Sequence, residues 1–516
     1  MAIALFVLVA LLVLAVIVTA NWYVWRRLFR DTTRGPGLTR RAGAVLIAGG
    51  WVLAITALVS ERSGAPFWLQ QVLAWPGFLW LALSIYLLLA VLAGEVVRPL
   101  LRWFLERRAR AAEPGPVTRT PLTGTDPGTT PGTPAETGPP SDAEHLAGTP
   151  AVPGGAAAPR KGDAGVSGGA TASAAASATT MDASQADRAD VSGGASASAA
   201  APHSQADPAS AAPATPGSSP QALTTPRTTD TTAPATTPTP TGPSRRLFVS
   251  RVVAGAAAAA AAGTVGYGTY GVLRGPKVKR VTVPLAKLPR AAHGFRIAVV
   301  SDVHLGPVLG RGFAQKVVDT INATQPDLIA VVGDLVDGSV KDLGPAAAPL
   351  AQLRARQGSY FVTGNHEYFS GAEQWVEEVR RLGLTPLENA RRELPYFDLA
   401  GVNDVSGEDE GQGPDFAKAL GDRDTARACV LLAHQPVQVH DAVEHGVDLQ
   451  LSGHSHGGQL WPGNFLAAAA NPTVAGLERY GDTQLYVSRG AGAWGPPTRV
   501  GAPSDITLIE LASKQA

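Results

Sequence analysis

The chain has 516 residues, of which 43 are Lys or Arg and 42 are Asp or Glu, and its formal net charge is +1. This balance gives no indication of a nucleic-acid partner, since such partners are usually bound by a strongly basic surface. The single cysteine, Cys429, excludes an intramolecular disulfide framework and a cysteine-rich zinc site. Because Cys429 lies in the apolar run ACVLLAH, we expect it to be a small core residue.

Three apolar runs near the N-terminus predict transmembrane helices. Residues 2–20 carry no charge, and at about 1.5 Å per residue such a run spans the roughly 30 Å hydrocarbon core of a membrane. Similar runs cover residues 42–60 and 72–93. We therefore expect residues 1–112 to form a three-helix membrane region. The alternative is that these runs are buried helices of a soluble domain.

The arginines predict how these helices are oriented. They cluster after the first run and after the third, whereas the loop after the second run offers only Glu61 and Arg62. The first cluster is Arg26, Arg27, Arg30, Arg34, Arg40 and Arg41, and the second is Arg98, Arg102, Arg107, Arg108 and Arg110. Because positive loops stay in the cytoplasm, the N-terminus should lie outside the cell and residue 110 inside.

Residues 113–243 differ in composition from the rest of the chain. They consist mainly of Ala, Gly, Pro, Ser and Thr, and they contain no Phe, Trp, Tyr or Ile. Such a segment cannot bury enough apolar surface to offset the entropy lost on ordering. We therefore predict a disordered linker on the cytoplasmic side.

A fourth span is predicted at residues 244–274, in SRRLFVSRVVAGAAAAAAAGTVGYGTYGVL. Two interpretations of Arg245 and Arg246 are open. They are either the positive anchor of this helix or, with Ser244 and Phe248, a twin-arginine export signal. Both interpretations place the remaining domain, residues 275–516, outside the cytoplasm, so we expect a multi-pass membrane protein with an extracytoplasmic C-terminal domain.

In this last region, acidic, amide and imidazole side chains follow five apolar runs. FRIAVVSDVH supplies Asp302 and His304, LIAVVGDLVD supplies Asp334 and Asp337, YFVTGNHE supplies Asn365, His366 and Glu367, CVLLAH supplies His434, and LQLSGHSH supplies His454 and His456. Apolar runs that alternate with amphipathic segments indicate an α/β domain, whose strand ends meet at one edge of a sheet. We therefore expect these side chains to form one site.

The ligand types predict a metal site. Oxygen and imidazole ligands without thiolate favour Mn, Fe or Zn. The seven candidates are Asp302, His304, Asp334, Asn365, His434, His454 and His456, which exceed what one metal needs but fill two sites if one carboxylate bridges. Asp337 has an alternative role as the cap of a following helix.

Three other histidines of this last region, and the backbone around His454, also carry expectations. His293, His440 and His445 lie outside the strand-end pattern, and we interpret them as ordinary surface or turn residues. The spacing of His454 and His456 predicts a short extended turn, because residues i and i+2 of an extended chain point to the same side.

The blocks SDVH, GDLVD, GNHE, His434 and GHSH, in this order, resemble the calcineurin-like metallophosphoesterase superfamily. The resemblance covers residues 280–512, and GGQ, YVSRGAG and SDITLIEL are similar to its membrane-associated bacterial branch. It implies a four-layer sandwich of two face-to-face sheets with helices outside. It also implies that a phosphomonoester, phosphodiester or pyrophosphate is hydrolysed by direct attack of water.

The resemblance further implies a role for each residue. One metal would be held by Asp302, His304, Asp334 and His456, and the other by Asp334, Asn365, His434 and His454, so that Asp334 bridges. His366 would act at the leaving group. Apart from the resemblance, we predict that segments 404–424 and 464–480 form the lids and walls that set substrate selectivity. If the apolar FLAAAA faces the bilayer, a lipid-linked or cell-envelope phosphoester is favoured, whereas an ordinary packed loop is the alternative.

Two other functions compete with the phosphoesterase. The domain could be a catalytically silent, metal-binding sensor or scaffold at the membrane, although the full ligand set argues against this. It could also face the cytoplasm and act on nucleotides. The sequence leaves the oligomeric state open.

Overall fold

The computed structural model describes residues 2–111 and 244–515. The predicted linker, residues 113–243, therefore lies outside the described residues. The four long helices are α1 (Ala2–Trp25), which continues as a π-helical turn, α2 (Leu38–Arg62), α3 (Phe67–Ala111) and α4 (Arg245–Leu273). All four are long and apolar enough to cross a membrane, which confirms the predicted number of apolar helices.

Helix α3 is longer than the run that predicted it. It has 45 residues and contains Pro76 and Pro99, whereas the apolar run covers only residues 72–93. At about 1.5 Å per residue the helix is roughly 67 Å long, which is more than twice the thickness of a hydrocarbon core. A hydrocarbon core could therefore hold only part of this helix.

The C-terminal domain is an α/β sandwich. Its strands are β1 (Lys277–Leu285), β2 (Phe295–Val300), β3 (Leu328–Val332), β4 (Ser359–Val362), β5 (Thr385–Pro386), β6 (Ala390–Glu393), β7 (Asp398–Gly401), β8 (Cys429–Leu432), β9 (Leu449–Ser452), β10 (Gly476–Tyr480), β11 (Thr483–Val487) and β12 (Asp505–Ser513). Its helices are α5 (Arg311–Ala323), α6 (Val340–Ala347), α7 (Asn365–Ser370), α8 (Ala372–Arg381), α9 (Phe416–Leu420), α10 (Val439–Glu444) and α11 (Asn464–Ala470).

The strands form two six-stranded sheets. The first has the order β1, β12, β2, β3, β4, β5, and the second has the order β10, β11, β9, β8, β7, β6. Strands β2 to β5 are parallel to one another, as are β11, β9, β8 and β7. The parallel strands at the centre of each sheet bring their carboxyl ends to one edge.

Side chains that alternate along β2 show how the layers pack. Ile297 points into the core between the two sheets, where it joins Val430 of the second sheet. Ala298 points the other way and joins Val317 of α5, while Leu431 of the second sheet packs with α10. Because successive strand residues face opposite sides, each sheet is covered on both faces. The order of layers is helix, sheet, sheet, helix, which confirms the predicted fold class.

Cys429 is fully buried in β8, so its predicted place in the core is confirmed.

Candidate metal centre

The polar blocks follow the strand ends at nearly constant spacing. Asp302 comes two residues after β2, Asp334 two after β3, His434 two after β8 and His454 two after β9, while Asn365 comes three residues after β4. These strands lie at the centre of the two facing sheets. Their ends therefore bring all five blocks to one edge of the sandwich.

A first group comprises Asp302, His304, Asp334 and His456, whose potential ligand atoms all lie within 4.8 Å of one another. Nε2 of His456 is 3.3 Å from Oδ1 of Asp302 and 3.0 Å from Nε2 of His304. All four residues are buried. This is the donor set of a four-coordinate metal site.

A second group comprises Asp334, His434 and His454, again with ligand atoms within 4.8 Å. Nε2 of His434 is 3.1 Å from Oδ2 of Asp334, and Nδ1 of His454 is 3.0 Å from Oδ1 of Asn365. Asp334 belongs to both groups. The structure therefore brings all seven candidate ligands together around one shared carboxylate.

His434 shows that these residues fit a metal ion. Its Nδ1 donates to the carbonyl oxygen of Val332 at 2.9 Å, so the neutral ring has a lone pair on Nε2. That nitrogen is buried, makes no hydrogen bond and faces the carboxylate of Asp334. Two acceptors so close together, away from water, need positive charge between them, which a proton or a metal ion can supply. A metal ion held by His434 and Asp334 meets this requirement.

The pKa values of His434 and Asp334 show the same need for positive charge at this point. Burial alone would lower the pKa of His434, but the charge of Asp334 outweighs it and holds that pKa well above its usual value. Burial would raise the pKa of Asp334, but His434 outweighs it and holds that pKa well below its usual value. The site therefore stabilises an anionic Asp334 with positive charge beside it.

His454 and His456 are held neutral. Burial and the nearby charge of His434 lower the pKa of His454 to about 4. Burial and the nearby His304 hold the pKa of His456 well below its usual value. Since only a neutral imidazole can donate a lone pair to a metal, both rings are in the form that ligation requires.

Backbone strain is concentrated in the ligands. Eight non-glycine residues of the described chain have a positive φ, and five of them are candidate ligands: Asp302 at 51°, His304 at 47°, Asp334 at 52°, His454 at 69° and His456 at 52°. Such conformations cost on the order of 1–3 kcal/mol each and persist where the surroundings enforce them. The unfavourable backbone conformations of these five residues therefore lower local stability, and they direct the side chains into the site.

The predicted extended turn at the two closely spaced histidines is wrong. His454 and His456 are both left-handed, Ser455 between them has a φ of −73°, and a 3-10 turn begins at His456. An extended chain would point both rings to the same side. The tight turn instead directs His454 to Asn365 and His456 to His304.

Asp337 connects the metal groups to His366. Its Oδ1 is 2.8 Å from Nδ1 of His304 and 2.7 Å from Nδ1 of His366. The alternative role of Asp337 as a helix cap is wrong, because Ser339 caps α6. Burial alone would raise the pKa of Asp337, but the two histidines lower it to about 2. Asp337 in turn outweighs the effect of burial on His366 and raises the pKa of that ring to about 9.

Glu367 supports the site in a way that the motif did not reveal. Its carboxylate accepts hydrogen bonds from the backbone N–H groups of Asp334 (3.0 Å), Leu335 (2.8 Å) and Gly364 (2.6 Å). It thereby joins the turns after β3 and β4. The sequence placed Glu367 in the GNHE block but gave no reason to assign it this role.

The sequence did not predict a role for Arg499 either. It donates to the carbonyl oxygens of His456 (3.0 Å), Gly492 (2.6 Å) and Ala502 (3.2 Å), and it lies 3.1 Å from Nδ1 of His456. No spacing rule connects it to a histidine 43 positions earlier. Its burial beside His456 makes it a positioning residue for that ligand.

The other three histidines of the described residues stay outside the site. His293 and His440 are exposed, and neither they nor His445 belong to the groups of potential ligands in the described residues.

Comparison with known proteins places this geometry in a family. The model of the calcineurin-like phosphoesterase family matches residues 295–458. An uncharacterized metallophosphoesterase of Aquifex aeolicus is 33% identical over 243 residues, which are 46% of this chain and 92% of that protein. The chain belongs to the calcineurin-like metallophosphoesterase family. The resemblance seen in the five sequence blocks is thereby confirmed.

Other metallophosphoesterases of bacteria and eukaryotes are also similar. A transmembrane protein with metallophosphoesterase domain from Danio rerio is 39% identical over 264 residues, which are 48% of this chain and 60% of that protein. An uncharacterized metallophosphoesterase of Campylobacter jejuni is 38% identical over 248 residues, 47% of this chain and 65% of that protein. The chain thus spans less than two thirds of these two relatives.

Proposed function

We propose that the chain is a membrane-anchored phosphoesterase that hydrolyses a phosphoester with two metal ions, of which Mn, Fe or Zn suit the ligands. The observation that carries this proposal is that Asp334 belongs to both ligand groups. One carboxylate shared between two sets of imidazole and oxygen ligands is the arrangement that bridges a metal pair. Such a pair can hold both the attacking and the leaving oxygen at phosphorus.

The bound metals would supply a hydroxide at neutral pH and positive charge for the phosphoryl oxygens. The protein itself provides the proton for the leaving group. The backbone N–H of His366 donates to Oδ1 of Asp334 at 2.9 Å, which fixes the ring beside the shared carboxylate. Since Nδ1 of His366 is bonded to Asp337, Nε2 remains available to protonate the leaving oxygen.

Assays of the full chain in detergent test this proposal. With added Mn, we expect turnover of p-nitrophenyl phosphate or bis(p-nitrophenyl) phosphate. Asp334→Asn should reduce turnover at least about 100-fold, because the metal ions that Asp334 would hold supply most of the charge stabilisation. Asp482→Asn, on a fully exposed side chain, is the matched control and should leave turnover unchanged. If the chain binds metal but turns over no substrate, the proposed enzymatic activity is contradicted and a catalytically silent sensor or scaffold is supported.

We also propose that the catalytic domain lies outside the cytoplasm. Arg27 after α1 forms an ion pair with Glu95 of α3 at 2.7 Å, and Arg251 near the start of α4 donates to the carbonyl oxygen of Thr32 at 3.0 Å. The basic ends of these three helices therefore lie together, which supports one cytoplasmic side. Because α4 starts on that side, its C-terminal end and the domain after it would lie on the other.

Protease treatment of intact cells tests this orientation. Added protease should digest the C-terminal domain if it is extracytoplasmic. Protection in intact cells, with digestion after lysis, would favour an enzyme that acts on cytoplasmic nucleotides.

The export route is tested at Arg245 and Arg246. If they form a twin-arginine signal, their joint replacement by Lys should keep the domain from the cell surface, because that signal requires arginine whereas a membrane anchor requires only positive charge. Arg251→Lys is the matched control on the same helix. Normal surface delivery of the double variant would show that the pair is an anchor.

A further inference from the structure

The candidate metal centre adjoins an uncharged surface. No charged residue occurs between Gln459 and Glu478. Helix α11 lies in this stretch and has no buried residue; Phe465 is 65% exposed and Leu466 is 78% exposed. Apolar side chains that are exposed together mark a surface that contacts something other than water.

This stretch packs against the membrane helices. The hydroxyl of Tyr86 in α3 donates to the carbonyl oxygen of Trp461 at 2.9 Å. Leu460 packs against an apolar cluster that includes Tyr86 and Val265 of α4. The start of the stretch is therefore attached to the sides of α3 and α4.

The position of Tyr86 indicates that α11 faces lipid. Tyr86 precedes Glu95 by nine residues, or about 14 Å of helix. Glu95 forms ion pairs with Arg27 at 2.7 Å and with Arg98 at 2.9 Å, which mark the charged end of the span. Since the hydrocarbon core is roughly 30 Å thick, a residue about 14 Å from its charged end lies within it. The apolar side chains of α11, attached at this level, would then contact the bilayer.

Gln459 links the uncharged stretch to the catalytic groups. Its Nε2 donates to the carbonyl oxygen of Trp494 at 2.9 Å, and its Oε1 accepts from the backbone N–H of Trp494 at 3.0 Å. The ring centroid of Trp494 lies 5.6 Å from that of His366, and the ring of Phe369 lies 5.7 Å from it. Both aromatic side chains are exposed, Trp494 by 51% and Phe369 by 72%. The leaving-group side of the site thus has an apolar rim.

On the basis of the proposed function, we propose that the substrate is a membrane lipid that carries a phosphoester. Its phosphate would reach the metal groups, while its hydrocarbon part would contact Trp494, Phe369 and the bilayer beside α11. A soluble phosphoester would leave this apolar rim in water, whereas a lipid covers it.

The reaction balances for a lipid phosphomonoester. The oxygen of water forms a bond to phosphorus, and the bond between phosphorus and the lipid oxygen breaks. His366 gives its proton to that oxygen, and the proton that water loses restores His366. The products are the lipid alcohol and inorganic phosphate.

Matched substrate pairs test the proposal with the full chain reconstituted in phosphatidylcholine nanodiscs with Mn. Dioleoyl phosphatidic acid and glycerol 3-phosphate share the same phosphomonoester bond and differ in their acyl chains. Dioleoylphosphatidylglycerol and glycerophosphoglycerol form the corresponding diester pair. We expect kcat/KM to be at least 100-fold higher for the lipid member of one pair. Similar values within both pairs would overturn the proposal.

Variants of α11 provide a second measurement. Replacing both Phe465 and Leu466 by Glu should lower the ratio of lipid turnover to p-nitrophenyl phosphate turnover at least tenfold. Val443→Glu, at a 36% exposed position of α10, is the control and should leave this ratio unchanged. An unchanged ratio in the α11 variant would overturn the proposal.

Model substrates separate failure of this inference from failure of the proposed function. If p-nitrophenyl phosphate is hydrolysed but neither lipid is preferred, the lipid proposal fails and the chain is a phosphoesterase of soluble substrates. If no model substrate is hydrolysed, the proposed function itself fails.

Discussion

Oδ1 of Asp337 lies 2.7 Å from Nδ1 of His366 and 2.8 Å from Nδ1 of His304. One carboxylate oxygen therefore connects the proposed proton donor with a candidate metal ligand. Because this pairing raises the pKa of His366 to about 9, the ring keeps its proton at neutral pH and loses it as the pH rises through that value.

Replacing Asp337 by Asn should move the alkaline limb of the pH–rate profile to lower pH. The amide carries no charge to favour the protonated ring, so we expect a shift of roughly 1–3 pH units. The measurement is kcat for p-nitrophenyl phosphate across the pH range, with Asp319→Asn on the surface of α5 as the control. An alkaline limb that stays in place would rule out His366 as the acid that limits the rate.

Glu367→Gln should destabilise the domain. The carboxylate of Glu367 accepts three backbone N–H groups, whereas an amide turns its own N–H₂ toward some of them. Each N–H left unpaired in the interior costs about 1–3 kcal/mol. Denaturant unfolding should show the loss relative to Glu377→Gln, whose side chain is exposed. Equal stability of the two variants would show that Glu367 is dispensable for the fold.

The strand ends and ligand blocks could be predicted because their signals are local. Asp302, Asp334 and His434 each follow a buried strand at a fixed distance, and parallel strands must bring such residues to one edge. The roles of Asp337 and Arg499 could not be predicted, because they depend on contacts between segments far apart in the chain. A carboxylate in a turn predicts a helix cap as readily as a partner for two histidines.

The turn at His454 and His456 shows a different limit. Spacing of i and i+2 favours an extended chain, but the two rings must reach different partners, and the backbone adopts left-handed φ values to allow it. Tertiary contacts therefore override a local preference. Helix α3 shows the same limit in its length, since hydropathy identifies only the apolar part of the helix.

Arg499→Lys should weaken metal binding through His456. Lysine keeps the charge but cannot donate at once to the carbonyl oxygens of His456, Gly492 and Ala502. Loss of such supporting contacts typically lowers metal affinity about 10–100-fold. Titration with Mn followed by calorimetry measures this, with the exposed Arg479→Lys as the control. Identical affinities in the two variants would contradict a positioning role.

Gln459→Leu should make the position of Trp494 beside His366 less well defined. The variant loses both hydrogen bonds to the backbone of Trp494, so the indole no longer holds its place beside His366. We expect KM for p-nitrophenyl phosphate to rise several-fold while kcat changes less, since the metal ligands are untouched. Gln315→Leu is the control, because this half-buried glutamine of α5 also loses side-chain hydrogen bonds, to Asp319 and Gln352. A fall in kcat at constant KM would indicate damage to the metal groups instead.

Metal counting tests the central claim, that Asp334 joins two metal sites. The number of bound metal ions per chain should be measured in the wild type and in the single variants His454→Ala, His456→Ala and Asp334→Asn. We predict about two ions in the wild type and about one in each histidine variant, because the two rings belong to different groups. The Asp334 variant should bind fewer than one. A single ion in the wild type, or loss of both ions in either histidine variant, would contradict the claim.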